Sequence, residues 1–129
     1  MRDLPAVREW IECTVAKYYQ QLHITKIPVP IILYGLKDAP KGVKSDSTAK
    51  KYKQFAAVSL FNPSNFKKPS YIVLNLPWHK SITVLEDTIV HELLHMRFPK
   101  MDCDDYQFYK LLGMALCGKT FKPDWKNNN

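Results

Sequence analysis

Apolar side chains recur at helical spacing from the start of the chain. Leu4, Val7, Ile11, Val15, Tyr18 and Leu22 share one face of a predicted amphipathic helix over residues 4–22. Asp3 is placed to cap that helix and Pro5 to sit in its first turn. Pro28 and Pro30 then break the pattern, and the runs that follow are short and β-prone: Ile31–Tyr34, Phe55–Leu60 and Tyr71–Leu76. Three strands are expected from them, with Phe55–Leu60 or Tyr71–Leu76 as an open edge. Between the first two runs, residues 35–54 are rich in lysine and poor in apolar side chains, which reads as an exposed basic loop.

Helical spacing returns after Pro77. Thr83 and Glu86 match an S/T-x-x-E capping box, so a helix is expected from Thr83 to about Phe98, where Pro99 ends it. Val84, Leu85, Ile89, Val90, Leu93, Leu94, Met96 and Phe98 make it apolar almost all round, as for a helix in the centre of a domain. A last helix is expected from Asp102 or Cys103 to Cys117, with Gly118 as the residue that closes it. Residues 119–129 read as a polar tail. Helix, small sheet and two further helices predict one α+β domain spanning 1–129.

Composition agrees with a packed domain: 129 residues suit a single core, and 46% hydrophobic content excludes wholesale disorder. No stretch approaches the ~18 apolar residues of a membrane span. The three cysteines, Cys13, Cys103 and Cys117, are odd in number and no signal peptide precedes them. Free thiols in a reducing, cytoplasmic setting are expected. The net charge of +7 favours acidic or polyanionic partners, so nucleic acid bound through a basic surface is one expectation. A solvated lysine-rich surface accounts for the same charge.

One segment changes the picture. His91-Glu92-Leu93-Leu94-His95 places two imidazoles four residues apart on the predicted buried helix, on one face and about a turn from each other. That spacing lets both reach one tetrahedral Zn2+ at ~2.0–2.1 Å. Glu92 lies about 100° round the helix, too far to ligate but placed to act as general base on a zinc-activated water and to hand the proton to a leaving amine. Burying three such groups without compensation would cost several kcal/mol, so a metal explains all three at once.

Zinc hydrolases usually hold the ion with three side chains. No histidine follows His95 and no glutamate follows Glu92. Downstream candidates are therefore Asp102, Cys103, Asp104, Asp105, Cys117 and Asp124, and upstream ones His79 and His23. In a helix that starts near 102, Asp104 shares a face with Phe108 and Leu111, and Asp105 with Tyr109 and Leu112. Asp104 is favoured.

The chain resembles the SprT-like zinc metallopeptidases and related minimal gluzincins over roughly residues 30–118. The resemblance lies in the strand Tyr71–Asn75, in Glu86-Asp87-Thr88, in Ile89–His95 and in Asp104–Gly113. It implies a zincin-like fold, Zn2+ as cofactor, His91 and His95 as ligands and Glu92 as base. In that family a third ligand stands four residues before an aromatic on the next helix, a register that places Asp104 there with Phe108 as the aromatic. The family's usual ligand is His or Glu, and the paired cysteines of its zinc ribbon are absent here. The expected function is peptide-bond hydrolysis on a peptide or protein substrate. Its rivals are a zinc-holding interaction module without turnover and a basic nucleic-acid-associated protein.

Overall fold

A computed structural model describes residues 1–38, 56–60 and 68–126. Among them the chain forms a small α+β fold of three helices and a three-stranded sheet. The order is α1 (Pro5–Gln21), β1 (Ile31–Leu33), β2 (Ala57–Leu60), β3 (Tyr71–Leu74), α2 (Ile82–Arg97) and α3 (Tyr106–Leu116). Short 3₁₀ turns lie at Leu36–Asp38 and Leu76–Trp78. Most of the basic loop expected at 35–54 lies outside the described residues. No described helix is long and apolar enough to cross a membrane.

The sheet runs β1-β3-β2, with β1 parallel and β2 antiparallel to β3. Tyr71–Leu74 is thus the central strand, and among the described residues β2 is the open edge beside α2. The pleat divides the side chains by face. Ile72 and Leu74, paired with Ser59 and Ala57, turn towards the helices, whereas Val73 joins Leu33 and Val58 in a smaller cluster on the other face. The helix-facing cluster forms the main core. It takes Ile11, Val15, Tyr18 and Leu22 from α1, Leu85, Ile89, Val90, Leu93 and Leu94 from α2, and Phe108, Leu111 and Ala115 from α3.

α2 packs against α1, α3 and β2, so it occupies the centre the sequence foresaw. Its ends differ from expectation for a physical reason. Ser81, not Thr83, caps it by accepting from the Val84 N–H at 3.2 Å. Glu86 is drawn off by the buried Tyr18, whose hydroxyl donates to it at 2.8 Å. Asp3 likewise does not cap α1: it grips Arg8 through both carboxylate oxygens, at 2.6 and 2.5 Å, and Leu4 stands at the cap without a side-chain bond. α3 starts at Tyr106 rather than near 102, because Asp105 takes the Gln107 N–H as its N-cap. Gly118 follows α3 at φ +88°, the left-handed position glycine suits.

The stretch after α3, expected to be a polar tail, folds back instead. Phe121 is buried, Trp125 half-buried, and the Phe121 N–H donates to Gln21 O. Arg97 fastens it: its guanidinium donates to Leu22 O, Lys122 O and Trp125 O. One side chain thus ties the ends of α1 and α2 to the returning segment.

His79, fully buried, fixes α2 at its other end. Its Nδ1 lies 3.0 Å from Asn75 O and its Nε2 2.9 Å from Thr88 Oγ1. A carbonyl can only accept, so Nδ1 carries the proton and Nε2 accepts from the Thr88 hydroxyl. Burial holds the imidazole neutral and its pKa below the ordinary value. Below ~6.5 the unfolded chain therefore binds a proton that the native state refuses, and stability falls as pH falls towards the native value. His79→Ala should cost about 2–4 kcal/mol at pH 7.5, because Thr88 and Asn75 O lose their partners. Urea unfolding at pH 7.5 and 5.5 checks both points: the wild type should lose stability at the lower pH, and the variant should lose less. A variant as stable as wild type at pH 7.5 would show that the bridge does not hold the helix.

Candidate metal centre

His91 and His95 leave α2 on the face that looks past β2, and both are half-buried. Their Nε2 atoms stand 3.2 Å apart. Two nitrogens bound to one tetrahedral zinc at ~2.0–2.1 Å would stand roughly 3.3–3.4 Å apart, so the pair already has a chelating separation. The ring of Phe108, from α3, covers both, with centroids 4.8 Å from His91 and 4.9 Å from His95. Burial lowers the pKa of each imidazole. Asp87 opposes the shift at His91, while repulsion from His91 adds to it at His95, which falls to about 4. Both rings are thus neutral near pH 7, the state in which imidazole ligates a metal.

The third donor beside them is Cys103. His91, His95 and Cys103 each present a ligand atom within 4.8 Å of the other two. The turn between α2 and α3 delivers the thiol. Met101 buries itself in the core, Asp102 Oδ1 accepts from the Asp104 N–H at 2.9 Å, and Asp102 O accepts from the Asp105 N–H at 3.0 Å. Burial pushes the Cys103 thiol up, and Asp104 and Asp102 add to it. A metal held by this set therefore displaces a proton from Cys103. Two imidazoles and a thiolate suit zinc, which accepts nitrogen and sulfur at tetrahedral positions.

Asp104 is not brought into that group. It is exposed and clusters with Asp102 and Cys103 instead. The expected register assumed a helix running from 102, whereas residues 102–105 form a turn that rotates Asp104 off the α3 face carrying Phe108. Other candidates are committed elsewhere. Asp105 caps α3, His79 is bonded through both ring nitrogens, His23 lines a separate cleft with Arg97 and Trp125, and Cys117 and Asp124 are exposed. The three cysteines are free thiols.

Glu92 lies in the same cleft wall, only 8% exposed. Desolvation raises its pKa to about 7, against the opposing pull of hydrogen bonds from the Ser59 side chain and backbone. The ladder fixes which way the polar groups of Ser59 turn. Asn75 N–H donates to Ala56 O, and pairs alternate along an antiparallel ladder, so Ser59 turns its N–H away from β3 to the open edge. Its side chain, opposite Ile72, faces α2. The sequence carried a signal here, since Ser59 is the polar residue within Ala57–Leu60. The cleft encloses about 550 Å³ and is lined by Ala56–Ser59 of the edge, by Asp87, Thr88, His91, Glu92 and His95 of α2, and by Pro99 and Cys103.

Comparison with protein families, curated proteins and solved structures gives no match to this chain. The site stands on its own residues.

Metal analysis after dialysis against zinc should find about one ion per chain in the wild type and in Asp104→Asn, and little in His91→Ala or Cys103→Ala. Full occupancy in Cys103→Ala with loss in Asp104→Asn would return the third position to the carboxylate.

Proposed function

We propose that the chain is a zinc-dependent hydrolase of zincin type that cleaves peptide bonds, with the SprT-like metallopeptidases as the family it resembles. The observation that carries this reading is the meeting, in one cleft, of the His91–His95–Cys103 donor set with the buried carboxyl of Glu92. Zinc in such a set supplies Lewis-acid polarisation and makes water acidic near neutral pH.

The chain's own residues supply the rest. Glu92, its pKa raised to about 7 by burial, takes a proton from water during attack and releases it to the leaving amine. Ser59 lines the cleft beside that carboxyl, and its polar groups favour the ionised form. Phe108 keeps solvent off the imidazoles and holds their rings in place. By the ladder's alternation Ala57 also turns its N–H and C=O to the open edge of β2, where an extended substrate backbone can pair.

A second reading draws on Ser59. With the polar groups of Ser59 favouring its ionised form, Glu92 would serve to fix α2 against β2 in a metal-holding module without turnover. Glu92→Gln separates the two. On the hydrolytic reading the variant keeps fold and zinc but loses at least about 10²-fold in cleavage of an unfolded protein substrate. Zinc-loaded wild type that cleaves no member of a panel of unfolded proteins and peptides supports the module. A variant cleaving at the wild-type rate removes Glu92 from the mechanism.

A further inference from the structure

Asp87, His91 and His95 follow one another at i, i+4 and i+8, so they form a single stripe on α2 facing the cleft. Two of the three have a role at the metal centre; Asp87 has none. It is exposed, lines the cleft one turn before His91, and belongs to neither cluster of potential metal ligands among the described residues. The ion pair found among those residues is Arg8–Asp3, so no described cation sits against Asp87.

Its neighbour Thr88 also lines the cleft, and the fold has fixed its polarity. The Nδ1–H of His79 is taken by Asn75 O, so Nε2 must accept, and the Thr88 hydroxyl must spend its proton there. What remains of Thr88 Oγ1 is lone pairs. Asp87 and Thr88 therefore offer acceptors and no donor. Ala56, Ala57, Val58 and Pro99, on other walls of the cleft, add no side-chain donor. An anion here would meet a carboxylate, and an apolar group would strip water from it without replacement. A nitrogen that is both charged and rich in N–H groups satisfies both acceptors at once.

We propose that this end of the cleft is a subsite for a cationic nitrogen of the substrate, a lysine or arginine side chain or a free α-ammonium, held by Asp87 with Thr88 as second acceptor. The proposal rests on the reading of the cleft as a peptide site and names what that peptide carries beside the scissile bond. Discrimination has to be local, because a chain of net charge +7 repels cationic peptides at long range.

The test is binding, so it does not depend on turnover. Zinc-loaded protein is titrated by calorimetry with matched peptide pairs: arginine against citrulline, lysine against norleucine, and free against acetylated N-terminus. Metal content is measured alongside. At low salt the cationic member of at least one pair should bind about fivefold tighter or more, and the pair that shows the gap identifies the source of the nitrogen. The gap should shrink at high salt and collapse in Asp87→Asn. Asp87→Lys should reverse it, favouring a glutamate peptide over its glutamine counterpart. Equal affinities within every pair, no binding of any peptide, or a gap that survives in Asp87→Asn would each overturn the subsite. A charge preference without hydrolysis would instead retire the hydrolytic reading and leave the subsite standing.

Discussion

The structure depends on drawing three titratable groups of one helix, His91, Glu92 and His95, in from water. α2 is packed by α1, α3 and the sheet edge, and Leu85, Ile89, Val90, Leu93 and Leu94 are wholly withdrawn from water. His91, Glu92 and His95 are carried inward with them. The desolvation that shifts all three toward neutrality has the same origin as the apolar core. Near pH 7 this leaves two neutral imidazoles with Nε2 atoms 3.2 Å apart, beside a carboxyl whose pKa burial raises to about 7. Core packing and site chemistry are therefore one constraint, and a change that lets water reach α2 should disturb both.

The surrounding residues compensate that burial at particular points. Ser59 of the edge strand lines the cleft with Glu92, and its polar groups oppose the shift that burial imposes on that carboxyl. His79 anchors Thr88 and so the helix turn before His91, while Arg97 ties the far end of α2 to α1 and to the returning segment at 121–125. The Asp102 turn holds Cys103 over the imidazoles. The Arg97 contacts join residues distant in sequence, whereas the Asp102 turn is local, and both are conditions of the site.

What could be read beforehand was whatever is local. The spacing of Ile11, Val15, Tyr18 and Leu22 marked α1, short β-prone runs marked the strands, and His91 with His95 at i, i+4 marked the donor pair. What escaped was decided by competition for partners across the fold. Asp3 looked like a cap until Arg8 claimed it, and Glu86 looked like half of a capping box until Tyr18 claimed it. Asp104 looked ligand-facing because α3 was assumed to begin near 102. The Asp105 cap and the Asp102 turn shift that start by a full turn, and Cys103 rather than Asp104 is brought beside the two imidazoles. Phe121 and Trp125 escape notice because two aromatics in a short polar stretch give no periodicity.

The central claim is that this fold holds zinc through two imidazoles and a thiolate, and X-ray absorption at the zinc edge tests it most directly. The account predicts that protein loaded with one zinc per chain shows two imidazole nitrogens at ~2.0–2.1 Å and one sulfur at ~2.3 Å. A first shell of nitrogen and oxygen without sulfur, or a chain that takes up no stoichiometric zinc, would contradict it.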